Sequence, residues 1–206
     1  MKNRIALALA AALFSAVPAL AADAPAPAAA PSPAAAAPPV DPRVAASRAV
    51  VQEMGEQLKG ELIGALEAGG PAKAIPVCQQ KAQVIAGEIS QKKGWKVARV
   101  SLKPRNPANT PDAWEKQVLE QFDARVAGGD GADSMEATSE TVQDGKKVFR
   151  YMKAIRTAVK PCLACHGESI APEIDAALKE LYPADQARGY KAGMVRGAFS
   201  VTQPLP

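Results

Sequence analysis

The sequence predicts an α+β fold in which helices, the first of them long, pack on a small antiparallel sheet. Between residues 43 and 92, apolar side chains recur at three- and four-residue steps, as they do on one face of a helix. The runs 135–143 and 146–155 have extended character, and Asp144-Gly145 between them is a strong signal for a two-residue hairpin. The hairpin and a further strand near the end of the chain favour this class over a helix bundle.

The elements are predicted in the following order. The first helix covers 43–68 and ends at Gly69-Gly70, and the second begins at Pro71 or Pro76 and reaches residue 92. A strand over 95–102 follows. The next helix begins with Thr110, Pro111 and Asp112 and reaches residue 127. The hairpin, a short helix over 172–181 and a strand over 197–202 complete the order.

The N-terminal part of the chain predicts export. A basic start, an apolar run over 5–14 and a small-residue cleavage site ending at Ala21 predict a signal peptide over 1–21. The segment 22–42 is nearly all Ala and Pro, which predicts a disordered linker. We therefore expect a folded domain over 43–206, in a periplasmic protein with no stable membrane insertion once the signal peptide is cleaved.

The net charge of the chain indicates which classes of partner it can bind. The chain has 25 basic and 21 acidic residues, a formal net charge of +4, and cleavage of the signal peptide would remove Lys2 and Arg4 and leave +2. This nearly neutral chain lacks the positive charge that binding to nucleic acid or another polyanion requires. We therefore expect no nucleic acid partner.

The string Cys162-Leu163-Ala164-Cys165-His166 is the Cys-x-x-Cys-His motif that attaches a c-type haem. The two thiols add across the haem vinyl groups, and the adjacent imidazole becomes the proximal iron ligand. His166 is the only histidine of the chain. The motif thus predicts one covalently bound haem c. Two alternatives are a thiol redox pair formed by Cys162 and Cys165, and a zinc site that also includes His166 and Cys78.

Cys78 is the odd thiol that is left when two of the three cysteines form thioethers. It lies on the apolar stripe of the second predicted helix, where a haem face would pack. If that helix begins at Pro76, Cys78 is in its first turn, where the helix dipole favours a thiolate. An iron ligand and a small buried core residue are both open interpretations of Cys78 at this point.

Further candidates come from methionine and arginine. Methionine also ligates the iron of c-type haems, and the rival ligands, each in an apolar pattern typical of a core, are Met54, Met135, Met152 and Met194. Arginine forks suit carboxylates, so the candidates for pairing with the haem propionates are Arg105, Arg156 and Arg196. An exposed charge is the simpler interpretation of each arginine.

Four stretches resemble a family of exported c-type haem domains with a PAS-like fold, formerly a domain of unknown function: 74–78, 105–115, 162–167 and 189–201. The second and fourth stretches are much more specific than the haem motif, which many folds share. The resemblance implies a PAS-like sheet with the haem in or beside its pocket, and an axial ligand pair of His166 and Cys78. Met194 stands where the family usually has an acidic residue, which keeps Met194 as an alternative sixth ligand.

Together these interpretations predict a periplasmic monohaem protein that senses redox state or a small gas through a change in haem ligation. The alternative is a periplasmic electron-transfer cytochrome with a redox partner protein. We expect no enzyme, because the chain has no second histidine for acid–base chemistry at a haem. A second copy of the chain, bound through the long N-terminal helix, is a further expected partner.

Overall fold

The computed structural model describes residues 40–206. The predicted signal peptide over 1–21, its cleavage after Ala21 and the predicted linker up to residue 39 lie outside the described residues. Among the described helices, none combines the length and the apolar character that crossing a bilayer requires.

The first element is the long helix α1, Pro42–Lys93, which Gly69-Gly70 breaks into an N-terminal arm, 42–68, and a C-terminal arm, 71–93. Asp41 caps the first arm, because its carboxylate accepts a hydrogen bond from the backbone N–H of Arg43 at 2.8 Å. Gly70 has φ 72° and ψ −171°, a backbone conformation that glycine adopts without strain. The break occurs where the glycine pair predicts it.

The C-terminal arm begins at Pro71, a residue that suits the first helical position because no N–H donor is needed there. Pro76 lies inside the arm, where it leaves one helical hydrogen bond unmade. The alternative start at Pro76 is therefore wrong. Cys78 lies beyond the first turn of its helix, so the dipole argument for a thiolate does not apply to it.

The sheet has four antiparallel strands in the order β1-β4-β3-β2. These strands are β1 Lys96–Val100, β2 Glu136–Gln143, β3 Lys146–Arg156 and β4 Val195–Pro204. Asp144 and Gly145 have φ values of 50° and 75°, the left-handed values of the predicted two-residue hairpin turn. The four-stranded sheet and the long first helix confirm the predicted α+β class.

The sheet divides the core in two, and β3 contributes side chains to both parts because alternate residues of a strand point to opposite faces. Phe149 and Tyr151 pack towards α1, whereas Met152 and Ala154 pack towards α2, Ala113–Ala127. The core on the α1 side also includes Val50, Met54, Ile89, Val97 and Val201, and the core on the α2 side also includes Val100, Leu119, Phe122, Met135 and Ala198.

Helix α2 begins two residues later than a Thr110 cap predicts. Its cap is Asp112, whose carboxylate accepts from the N–H of Glu115 at 3.0 Å, while the Glu115 carboxylate accepts from the N–H of Asp112 at 2.9 Å. This reciprocal capping box satisfies two N–H groups that the helix leaves unpaired. Thr110 instead closes a short turn, donating its hydroxyl hydrogen to the Pro107 carbonyl at 2.6 Å.

Two short helices follow the hairpin and bring the motif segment to α1. Helix α3, Leu163–His166, is a single turn, and α4, Pro172–Leu181, packs on the C-terminal arm of α1. The cluster between α4 and that arm contains Ile75, Ile174, Leu178 and Tyr182. The Gln79 side chain also donates to the Leu181 carbonyl at 2.7 Å. The haem motif is thereby fixed beside the turn of α1 that carries Cys78.

Candidate haem site

A cleft of about 210 Å³ opens between the C-terminal arm of α1, strand β1 and the segment that carries α3. Most of the candidate residues line it, although they come from widely separated parts of the chain: Cys78, Arg105, Arg156, Cys162, Cys165, His166 and Arg196. Leu62, Ile75 and Tyr182 add apolar surface to its walls. The structure thus gathers in one place the predicted thioether cysteines, both predicted axial ligands and the three predicted arginines.

The motif forms one tight helical turn. The N–H of His166 donates to the Cys162 carbonyl at 3.0 Å, which places the first cysteine and the histidine on the same side of the turn. Gly167 follows, and a Cβ atom at this position would lie 2.6 Å from the Leu163 carbonyl oxygen. Only glycine therefore lets the chain leave the turn along this path.

His166 is held in a form suited to a metal ligand. Its Nδ1 lies 2.9 Å from the Ala187 carbonyl oxygen and 3.3 Å from the Nε of Arg196. The shorter contact requires a proton on Nδ1, because a carbonyl only accepts, so we take Ala187 as the partner. Burial lowers the pKa of His166 well below its ordinary value, and the charge of Arg196 adds to this effect. A neutral ring with a proton on Nδ1 leaves the lone pair of Nε2 free for a metal.

Cys78 lies on a different wall of the same cleft. Its side chain is exposed to the open space of the cleft. Desolvation by the surrounding cleft walls raises the pKa of the Cys78 thiol, and the charges of Arg99 and Arg105 act in the opposite direction. The Cys78 thiol thus faces the cleft, whereas the core interpretation requires a thiol enclosed by apolar side chains.

Arg105 holds the motif turn in place. Its guanidinium donates to the Asp185 carboxylate at 3.0 Å, to the Ala187 carbonyl at 3.2 Å and to the Cys165 carbonyl. Both side chains of the ion pair are nearly buried, with 11% of Arg105 and 3% of Asp185 exposed. Arg105 therefore already has a carboxylate partner in the protein.

Arg196 and Arg156 differ in their surroundings. Arg196 is buried, donates to the Ser101 hydroxyl at 3.0 Å and lies 5.3 Å from the centre of the Tyr190 ring. Burial lowers the pKa of Arg196 to about 10, so the group stays charged at neutral pH. Arg156 lies at the mouth of the cleft with 45% of its side chain exposed, and its Nε is 3.6 Å from a carboxylate oxygen of Asp133.

The methionine candidates lie elsewhere. Met54, Met135 and Met152 are fully buried in the two cores beside the sheet. Met194 lines a separate small cavity with Tyr190, and its sulfur accepts from the Lys191 N–H at 3.1 Å. The structure thus places Met194 outside the cleft that contains His166 and Cys78.

The cleft also contains a residue that the sequence reasoning missed, Arg99 on β1. The apolar pattern of 95–102 predicts a strand, and alternation along that strand places Val97 and Arg99 on the same face. Val97 belongs to the core under α1, so a charged side chain two residues later was the available signal. The Nε of Arg99 is buried and has no hydrogen-bond partner among residues 40–206.

The donor set of this cleft fits a haem better than a bare metal ion. Within residues 40–206, no three His, Cys, Asp or Glu side chains converge closely enough to hold a metal ion. The turn presents two thiols and a free imidazole lone pair, and arginines line the cleft around them. These groups match the three chemical parts of a haem c. The thiols can add to its vinyl groups, the imidazole nitrogen can bind its iron, and the arginines can pair with its carboxylates.

The fold and this cleft define an α+β domain that carries a Cys-x-x-Cys-His cofactor cleft beside a small antiparallel sheet. The chain belongs to the Tll0287-like family, whose model matches residues 36–204. The crystal structure of the cyanobacterial heme-protein Tll0287 is similar to it, with 30% sequence identity and a TM-score of 0.54. That match covers 81% of this chain and 98% of the other, and it confirms the family resemblance seen in the sequence. A comparison with curated proteins found no match.

Proposed function

We propose that this protein is a periplasmic c-type haem protein with one covalent haem, which senses redox state or a small gas through a change in haem ligation. The family and the similarity to a cyanobacterial haem protein support haem binding. The observation that carries the proposal is the convergence of the motif turn, the free Nε2 of His166 and the thiol of Cys78 on one cleft.

Four residues would hold the group. Cys162 and Cys165 would form the thioethers, and His166 and Cys78 would ligate the iron. A bound haem supplies an iron that changes oxidation state and takes small ligands. The protein orients the imidazole through the Ala187 carbonyl and keeps the motif turn in place through the buried Arg105 side chain.

Sensing is favoured over electron transfer by the way α1 is built. Its two arms pack on each other through Val50, Met54 and Ile89, far from the glycine break. Between that packing and the glycine break, a groove of about 540 Å³ runs between the arms along Gly60, Gly64, Val77 and Val84. The exposed side chains of Lys81 and Glu61 pair across it at 3.6 Å. Cys78 thus lies on an arm that is packed at one end and joined through glycines at the other. If Cys78 left the iron, that arm and the α4 helix packed on it could shift together.

An electron carrier is the alternative function, with a redox partner protein in place of a gas. Such a protein needs little reorganisation, so both axial ligands should stay bound in both oxidation states. We propose no catalytic role, because the only imidazole of the chain is committed to the proximal position. Cell fractionation with a periplasmic marker enzyme would test the proposed location.

The test is a denaturing gel stained for haem, followed by spectroscopy with carbon monoxide. We expect the stain to stay with the wild-type chain, made in cells that mature c-type cytochromes, and to be lost when Cys162→Ser and Cys165→Ser are combined. The ferrous protein should then bind carbon monoxide. An unstained wild-type band would refute haem c, whereas ferrous iron that excludes the gas and exchanges electrons rapidly with a small cytochrome would identify a carrier.

A further inference from the structure

Three arginines reach the cleft from three different elements: Arg99 from β1, whose Nε is buried, the nearly buried Arg105 from the loop after β1, and the buried Arg196 from β4. Buried charges are expensive unless they are paired. Asp185 accompanies Arg105, but within residues 40–206 neither Arg99 nor Arg196 forms an ion pair with a carboxylate. The walls of the cleft therefore hold two positive charges that the described protein does not neutralise.

Arg99 is the more exceptional of these two charges. Its Nε is buried with no hydrogen-bond partner in the described part of the chain, whereas Arg196 at least contacts the Ser101 hydroxyl. Burial lowers the pKa of Arg99, which is the signature of a cation without compensating acceptors. Its place on β1 is set by strand alternation, which points it away from the α2 side and under α1. An unsatisfied donor group of this kind can bind a ligand that carries a hydrogen-bond acceptor.

We propose that Arg99, together with Arg196, binds the two propionate carboxylates of the haem, so that the ligand supplies the charges that the protein lacks. This inference rests on the proposed function. Guanidinium groups bind carboxylates through paired hydrogen bonds, and the two arginines without an ion pair in residues 40–206 match the two propionates in number and sign. Arg105 and Arg156, which the sequence also suggested, already have Asp185 and Asp133 as neighbours. They are therefore the weaker choices.

The first test measures the binding of free porphyrins to the haem-free full-length chain. Mesohaem is the probe because its ethyl groups cannot form thioethers, and mesohaem dimethyl ester is the same molecule without carboxylate charge. We expect wild type to prefer mesohaem, and Arg99→Met to reduce this preference about tenfold or more, as the loss of a charge-assisted hydrogen bond predicts. Arg125→Met is the matched control, because Arg125 lies on α2 outside the cleft and is exposed and paired with Asp130 at 2.8 Å, and this variant should keep the wild-type preference.

The outcomes separate this inference from the proposed function. If wild type binds both porphyrins but Arg99→Met keeps its full preference for mesohaem, the arginine pairing is overturned while haem binding stands. If wild type binds neither, the haem assignment fails and the pairing fails with it. A second measurement uses the covalently loaded protein, where the propionate bending bands in the resonance Raman spectrum should shift in Arg99→Met and not in Arg125→Met. Identical bands in all three proteins would likewise overturn the pairing.

Discussion

A single side chain, Arg105, connects the parts of the site that must keep their relative positions. It donates to the carbonyl of Cys165 in the motif and to the carbonyl of Ala187, which is also the acceptor for His166. Its partner Asp185 accepts in turn from the Ala187 N–H at 2.9 Å. The motif turn and the carbonyl that orients its imidazole are therefore held by the same buried ion pair.

Cys78→Ala tests the axial ligand at the residue scale. We expect the ferric variant to lose the low-spin electron paramagnetic resonance signal of thiolate ligation, because alanine offers no donor. Its midpoint potential should rise, since an anionic sulfur stabilises the ferric state. Met194→Leu is the control and should keep the wild-type spectrum, because Met194 lies outside the cleft. The reverse pattern, with Cys78→Ala unchanged and Met194→Leu altered, would make Met194 the sixth ligand.

At the scale of elements, helix α2 is joined to the sheet by a buried polar cluster. Glu115 accepts from the Ser200 hydroxyl at 2.6 Å and lies 3.2 Å from the guanidinium of Arg150 on β3. Arg150 also pairs with Asp112 at 2.7 Å and lies 4.3 Å from the centre of the Trp114 ring. The residues that cap α2 thus also fix it on the face of the sheet opposite α1.

Glu115→Ala should destabilise the domain by about 2–3 kcal/mol, because it leaves Arg150 buried with only the partly exposed Asp112 as counter-charge. Urea unfolding followed by circular dichroism measures the effect. Glu120→Ala is the control on the same helix, since Glu120 is exposed and its pair with Lys116 is long, at 3.8 Å. That variant should change stability by no more than about 0.5 kcal/mol. Equal losses in both variants would contradict the role assigned to the buried cluster.

At the scale of the whole molecule, the sheet separates a part suited to movement from a part suited to rigidity. The α2 face carries an apolar core and the polar cluster around Glu115. The α1 face carries the cleft, the glycine break at Gly69-Gly70 and the groove between the arms. A change in haem ligation would therefore act on the α1 side and leave the α2 side as a fixed support.

Hydrogen exchange with mass spectrometry tests this division. We expect peptides from 71–82 to exchange faster in the ferrous protein with bound carbon monoxide than in the ferric protein, because Cys78 would no longer restrain the arm. Peptides from α2 should exchange at the same rate in both states and provide the internal control. Equal exchange of 71–82 in both states would show that the arm does not respond to ligation.

Local signals in the sequence were enough to predict the class of the fold and much of the element order. The glycine pair at 69–70, the Asp144-Gly145 hairpin and the Cys-x-x-Cys-His string act through neighbouring residues, so their meaning does not depend on the rest of the chain. The odd thiol of Cys78 could be flagged by counting cysteines. Its position beyond the first turn could not, because Pro71 and Pro76 are both acceptable helix starts by local rules.

Only the tertiary structure decided which distant side chains meet and which charges are already paired. Arg105 was a propionate candidate by residue type, but the fold brings Asp185 to it from 80 residues away. Arg99 belongs to no motif, and its importance comes from its place under α1, where its Nε has no hydrogen-bond partner within residues 40–206. The physical reason is that helix breaks, turns and motifs are set by local backbone chemistry, whereas burial and charge pairing depend on contacts that exist only when the chain is folded.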